Sequence, residues 1–237
     1  MIIDFHSHIL PGIDDGSRDA AMTEKMLAAS AAQGVEIMAA TPHFYADANT
    51  VERFLRKRAE AVEKILDLAA AQGIGVIAGA EVAFFDGISR AADVSKLTLG
   101  GSRLLLVEMP FRQWGRREVE ETERLLAHGF QVIIAHMERY TGLQSDKGPW
   151  RAVLELPVLV QLNAECFLSF STRGKNLRLL KRGEAHLLGS DCHNVTGRPQ
   201  DLAEGRAVIA KRLGEERLEE IDRLGERLIR RGGAEIL

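Results

Sequence analysis

The stretch that decides the reading is Met1–Ser17, MIIDFHSHILPGIDDGS. It opens as an apolar run of strand length, then sets His6 and His8 two residues apart and follows them with Asp14, Asp15 and Gly16. Side chains of an extended chain alternate faces, so Asp4, His6 and His8 are expected on one face and Ile3 and Phe5 on the other. A packed strand gains nothing from three polar groups on one face. A binding site does.

The same arrangement recurs along the chain. Short apolar runs alternate with longer segments of helical period, which is a βα pattern. Strands are expected at Ile2–His6, Val35–Thr41, Gly75–Ala80, Leu104–Val107, Gln131–Ala135, Leu156–Leu162 and His186–Gly189. After the first, with His6 and His8, the others lead in turn to His43, Glu81, Glu108, His136, Asn163, and the pair Asp191 and His193. In barrels of parallel strands the loops beyond the carboxyl ends converge, so this regularity predicts one pocket. Between the strands, Val51–Gln72 carries an apolar stripe of Val51, Leu55, Val62, Ile65, Leu66 and Ala69 and is expected as one helix. Gly34 and Gly73 stand where helix C-caps belong, and Gly100–Gly101 and Gly115 where turns do. The charged segment 212–233 is expected as a helix on the outside. No Pro/Gly/Ser-rich linker divides the chain, so residues 1–237 are expected to form a single domain.

Composition narrows the class. With 46% hydrophobic residues the chain can bury a sizeable core, and a net charge of −3 gives no reason to expect a nucleic-acid partner. Cys166 and Cys192, 26 residues apart, are too few for a disulfide framework and do not resemble a zinc pair, which suits a reducing compartment. No apolar run approaches the roughly 20 residues of a membrane span, and no basic segment opens the chain. The expected location is the cytoplasm.

Five of the seven histidines belong to the strand-end set, and His128 and His186 are left to structural roles. His6, His8, Asp15, His43, Glu81, Glu108, His136, Asp191 and His193 are nitrogen and carboxylate donors without a thiolate, a set that suits Mn, Fe or Zn. Nine donors suffice for two or three ions with a bridging carboxylate.

At this point the motifs DFHSHILPGIDDGS, TPHF, GAEV, VEMP, IAHMERY, QLN and SDCHNVTGRP resemble, in order and spacing, the PHP (polymerase and histidinol phosphatase) superfamily. Within it the resemblance is to the bacterial tyrosine phosphatases of the CpsB/CapC kind, which act in capsule and exopolysaccharide regulation, and it spans roughly residues 1 to 205. It implies a distorted (β/α)7 barrel, TIM-barrel-like, with a trinuclear centre usually active with manganese. His6, His8, Glu81 and Asp191 would hold one ion, Glu81, Glu108 and His136 a second, and Asp15, His43 and His193 a third. Asp15 is preferred to Asp14 because the family ligand directly precedes the glycine. Arg139 and Arg198 match the family's phosphate-clamping arginines, with Glu138 and Tyr140 placed to orient Arg139.

The implied activity is hydrolysis of phosphotyrosine by a metal-activated hydroxide, with an autophosphorylated bacterial tyrosine kinase as substrate and oligomerisation left open. His43 or a metal-held water is the candidate proton donor to the leaving group. Cys192 is not expected to react, because SDCHN lacks the CxxxxxR phosphate loop. The chain departs from the family at GRPQ, where GRPP is common, and in its last residues. A histidinol-phosphate or other small phosphomonoester phosphatase remains an alternative. A PHP nuclease lacks a supporting basic stripe, and a non-catalytic regulatory protein has no need of a complete donor set.

Overall fold

The computed structural model describes all of residues 1–237. The elements are β1 (Ile2–Ser7), α1 (Ala20–Ala32), β2 (Val35–Ala40), β3 (His43–Phe44), α2 (Val51–Glu63), α3 (Leu66–Ala71), β4 (Gly75–Ala78) and β5 (Glu81–Ala83). They continue with β6 (Leu104–Glu108), α4 (Arg116–Ala127), β7 (Gln131–Ile134), α5 (Gly148–Glu155), β8 (Leu159–Asn163), α6 (Phe170–Arg182), β9 (Leu187–Gly189), α7 (Leu202–Leu213) and α8 (Glu215–Gly232). Every ladder is parallel, as strand–helix–strand connections require.

The second and third expected strands form within their expected bounds as β2 and β4, and each is followed after a short interruption by a further short strand, β3 and β5. Pro42 has no N–H to continue the first ladder. At Gly79 a Cβ would lie 2.4 Å from Leu99 Cδ2, so only glycine lets the chain pass that close. The members of each pair fall into different sheets, ordered β1-β2-β4 and β3-β5-β6-β7-β8-β9. The step between them is stitched by Gly79 N donating to Ala40 O (2.9 Å) and Glu81 N to Pro42 O (3.1 Å). The ring closes at the carboxyl end of β1, where Asp191 N donates to His6 O (2.7 Å) and His8 N to Cys192 O (2.9 Å). Counting each pair once, seven strand positions curl into the expected distorted barrel.

Two apolar clusters follow from the period of the strands. Ile3, Phe5, Ile37, Ile77, Leu106, Ile133, Leu159 and Leu187 form one. The intervening residues Met38, Val76, Leu105, Val132, Val160 and Leu188 pack in the other against helix residues such as Met26, Leu125, Val153, Leu180 and Ile209. The charged C-terminal helix does more than lie outside: Ile229 of α8 joins the first cluster, and a Cβ on Gly225 would lie 2.8 Å from Phe5. The last residues then pair with β4, Leu237 N donating to Val76 O at 2.9 Å. The expected helix over Val51–Gln72 is two helices, because a turn at Lys64–Ile65 sinks Ile65 fully into the core. Gly34 and Gly73 take the left-handed φ of helix-closing residues (79° and 68°), as expected.

Asp201, just before α7, is a cost left in the fold. Its Oδ1 is buried without a partner, and burial, with Glu165 and Asp4 nearby, pushes its carboxyl up to about 7. A carboxyl raised in the folded state is destabilised as pH climbs from its unfolded value near 4 through about 7, and the loss is complete above that. Asp201→Asn is therefore expected to raise stability by about 1–2 kcal/mol at pH 8, allowing for partial exposure, and by less at pH 5. Denaturant melts at the two pH values check this, and an equal gain at both would contradict it.

Candidate metal centre

The carboxyl ends of the strands bring all nine predicted donors into one cluster around Glu81, which is fully buried. Its Oε1 lies 2.7 Å from His136 Nε2, and its Oε2 lies 2.9 Å from His43 Nδ1, 3.2 Å from His6 Nε2 and 3.4 Å from His8 Nε2. Glu108 reaches His136 Nε2 at 3.5 Å. Asp191 Oδ1 stands 3.3 Å from His8 Nε2 and 3.5 Å from His6 Nε2, and Asp15 Oδ1 stands 3.5 Å from His43 Nε2 and 3.4 Å from His193 Nε2. Three sets of donor atoms are compact enough to share an ion: His6, His8 and Glu81; His43, Glu81 and Glu108; and His8, Asp15, His43 and His193.

The donor chemistry fits divalent cations. His43 Nδ1 and Glu81 Oε2 are buried and make no hydrogen bond although they are close, and His6 and His8 point their Nε2 atoms at each other across 3.1 Å. Buried polar atoms are otherwise paired almost without exception. A cation between them satisfies lone pairs that protons serve badly. The charges agree. Burial opposes ionisation of Glu81, but His6, His136 and His43 outweigh it and hold the carboxyl well below its usual range. Burial likewise opposes the charged form of His136, and Glu108 and Glu81 outweigh it, raising the ring to about 9. His193 goes the other way, to about 4, through burial and then the neighbouring His8 and Arg198. Burial raises both cysteine thiols, so neither offers a thiolate, and Cys192 is fully buried. His128 and His186 lie outside the cluster; His186 Nδ1 accepts Val160 N at 3.0 Å.

Backbone strain marks the same place. His136 (φ 28°) and Asp191 (φ 55°) are the two non-glycine residues at positive φ, a conformation costing about 1–3 kcal/mol each that the surroundings must impose. Gln161 supplies part of that constraint, its Oε1 accepting His136 N at 2.8 Å. Tyr140 supplies more, and here the structure corrects its expected role. Its hydroxyl accepts Met109 N and meets His136 Nδ1, both at 3.0 Å, so it orients a histidine and not Arg139. Glu138 likewise takes a hydrogen bond from Asn163 N (3.3 Å) in place of Arg139. A tyrosine four residues beyond a strand-end histidine is the local signal that could have revealed the first pairing.

Asp14 and Asp15 divide their work. Asp14 Oδ2 pairs with His8 Nδ1 at 2.7 Å and accepts His43 N at 3.0 Å, leaving Asp15, 66% exposed, to face His43 and His193. Burial opposes the charge of Asp14, yet His8 pulls its carboxyl down to about 2. Gly16 makes the turn possible, since a Cβ there would lie 2.3 Å from His8 O. Carboxylates that orient a ligating histidine are worth roughly 10–100-fold in metal affinity. Asp14→Asn is expected to weaken metal binding by that order while keeping the fold, read by titrating metal into chelator-stripped protein; unchanged affinity would remove Asp14 from this role.

Asp4 does not share a face with His6 and His8. The register of β1 against β2 slips between Asp4 and Ser7, breaking the alternation. The Asp4 carboxylate instead accepts Ser190 N (2.9 Å), Ser190 Oγ (2.6 Å) and Gln200 Nε2 (3.0 Å), which fastens the seam between β1 and β9. Gln200 is the residue at which GRPQ departs from GRPP, and it also donates to Ser30 Oγ at 3.0 Å, so the departure anchors the loop after Arg198.

Both predicted arginines reach the cluster. Arg139 Nη2 and Arg198 Nη2 donate to Asp191 Oδ2 at 2.6 and 2.5 Å, beside Asn163 Nδ2 at 2.9 Å, and Arg198 Nη1 lies 2.8 Å from His193 Nε2. Each arginine stays about one-third exposed (32% and 33%), so unused N–H groups face the mouth. Asn194 Oδ1 presents Arg198 by gathering the N–H groups of Thr196, Gly197 and Arg198.

Residues 2–227 match the family model described as capsular polysaccharide synthesis, CpsB/CapC. The tyrosine-protein phosphatase CpsB of Streptococcus pneumoniae is 27% identical over 235 residues, covering 93% of this chain and 94% of that protein. The tyrosine-protein phosphatase YwqE of Bacillus subtilis is 28% identical, covering 91% and 86%. Among solved structures, one from work on YwqE and CpsB, described as metal-dependent tyrosine phosphatases, superposes with a TM-score of 0.85 at 24% identity, covering 100% of this chain and 97% of that one.

Proposed function

Since this chain belongs to the CpsB/CapC family of capsular polysaccharide synthesis proteins, we propose that it is a metal-dependent phosphotyrosine-protein phosphatase, built as one domain over residues 1–237. The observation that carries the reading is the convergence of four histidine nitrogens on the buried carboxylate of Glu81, with Arg139 and Arg198 at the rim.

By the family resemblance the donors would divide among three divalent ions, manganese being the expected metal. His6, His8, Glu81 and Asp191 would hold one, Glu81, Glu108 and His136 a second, and Asp15, His43 and His193 the third. Four carboxylates return four of the six positive charges, so the loaded centre still attracts a phosphate dianion. Bound ions supply Lewis acidity to phosphoryl oxygens and a water of lowered pKa. The protein's own groups do the rest. Arg139 and Arg198 offer planar forks that bond phosphate oxygens bidentately, turning toward substrate from the Asp191 carboxylate they now share. Asn163 stays on Asp191 and keeps it in place. Tyr140, Gln161 and Asp14 hold the imidazoles of His136, His6 and His8 in the orientation that binding needs. His43 is the most open histidine of the set at 14% exposure, but both of its ring nitrogens face carboxylates of the cluster, so the proton for the departing phenolate oxygen would come from a water held by the ions, with His43 as one of their ligands. A phenol of pKa near 10 leaves with little such help.

The substrate is a phosphotyrosine protein, by the family resemblance an autophosphorylated bacterial tyrosine kinase that controls capsule or exopolysaccharide synthesis. No helix is long and apolar enough to cross a membrane, in keeping with a cytoplasmic location. The test is phosphate release from a phosphotyrosine peptide by chelator-stripped protein reloaded with Mn2+, against histidinol phosphate as competitor substrate. Activity restored by the metal and favouring the peptide is expected; activity no greater than the chelator control, or a preference for histidinol phosphate, would overturn the reading.

A further inference from the structure

On the barrel face that carries the metal cluster the fold leaves several apolar side chains uncovered. Seven large hydrophobic residues are exposed in the whole chain, and two of them, Ile236 and Leu237, are its last residues. The other five, Tyr45, Phe111, Leu143, Phe170 and Val195, all lie on segments that follow the carboxyl ends of strands: β3, β6, β7, β8 and β9 respectively. Exposed apolar residues scattered over a surface need no explanation, but five gathered on the loops of one barrel face do.

Two of them touch the site itself. The Tyr45 ring, 41% exposed, stacks on the imidazole of His43 with centroids 5.3 Å apart. The Phe111 ring, 54% exposed, stacks on His136 at 5.8 Å and also meets Tyr140 at 5.2 Å. Each aromatic therefore lies one ring-thickness beyond a histidine of the cluster. Those two histidines sit on different faces of Glu81, meeting its two oxygens separately. A phosphate held at the cluster floor by charge leaves room above it for the group esterified to it, and that group meets the layer that Tyr45 and Phe111 occupy.

We infer that Tyr45 and Phe111 select the aryl ring of the substrate. This rests on the phosphatase reading above and specifies how the same site tells phosphotyrosine from an alkyl phosphate. The charged floor grips any phosphate monoester. Aromatic faces at stacking distance reward only a ring, because offset or edge contacts between π systems add to simple burial. A small polar ester such as glycerol phosphate gains nothing from these two rings.

The experiment compares kcat/KM for a phosphotyrosine peptide with that for β-glycerol phosphate, using Mn2+-loaded protein and the variants Y45L, F111L, the double variant and Y45F. Leucine keeps apolar volume without a ring, and metal content measured on each variant shows that the cluster is intact. The ratio of the two values is expected to fall by roughly tenfold in the double variant, chiefly through KM for the peptide, and to be retained in Y45F. A ratio unchanged in the double variant, with wild-type protein preferring the peptide, overturns the inference alone. Wild-type protein that hydrolyses glycerol phosphate but not the peptide overturns the phosphatase reading on which it rests.

Discussion

Glu81→Gln is expected to strip the protein of metal and to lower phosphotyrosine hydrolysis by at least about a thousandfold, roughly 4 kcal/mol of transition-state stabilisation. The reason is its place in the structure. One carboxylate takes nitrogens from His6, His8, His43 and His136 within 3.4 Å, and it belongs to two of the three compact donor sets. Glutamine matches its volume but turns one oxygen into an NH2 group that can only donate, so two of the donor sets would lose the anionic ligand they have in common. Elemental analysis of protein purified without chelator reads the first effect, and peptide turnover the second. Because Glu81 is buried, unfolding must be separated from metal loss, and circular dichroism of the metal-free wild type gives the reference. Full metal content in a folded Glu81→Gln variant would sink the assignment of Glu81 as a bridge.

Arg139→Ala is expected to do the opposite with metal and the same with turnover. The guanidinium touches the cluster only through Asp191 Oδ2, which keeps Arg198 and Asn163 as donors when Arg139 is removed. Metal content should therefore persist while kcat/KM falls by about 10²–10³, the usual loss when one charge-stabilising donor is deleted. Arg139→Lys is not expected to restore it, since a point charge cannot make the two parallel bonds of the fork. Loss of metal in Arg139→Ala would show that its work is to hold Asp191, and recovery in Arg139→Lys would show that only its charge matters.

Much of this was legible in the residues themselves. His6, His8, His43, Glu81, Glu108, His136, Asp191 and His193 each stand at or just beyond a strand end, and a βα chain has few ways to fold other than bringing those ends together. The short strands β3 and β5, which follow two of the expected ones across an interruption, illustrate the limit of local reading. Pro42 announces a break, whereas the need for glycine at 79 arises from Leu99, a contact twenty residues away. Proximity in sequence pairs Tyr140 with its neighbour Arg139, but the short turn that follows His136, itself at positive φ, carries the hydroxyl to His136 instead. Gln161, present in the motif QLN, braces two of the histidines, a role its position in the sequence does not announce.

By itself, then, the sequence determined the inventory and the architecture: a seven-position βα barrel with nitrogen and carboxylate donors at one end. Strand period and the placement of donors at strand ends are local properties that survive in any register. Only the tertiary structure decided which atoms meet. It turned Asp4 away from the pocket to tie Ser190, 186 residues distant, and gave Asp14 to His8 while leaving Asp15 open at the rim. It also set both arginines on one oxygen of Asp191. Those outcomes depend on a single slip of register in β1 and on how β9 closes against it, and no periodicity within either strand specifies a seam made between them.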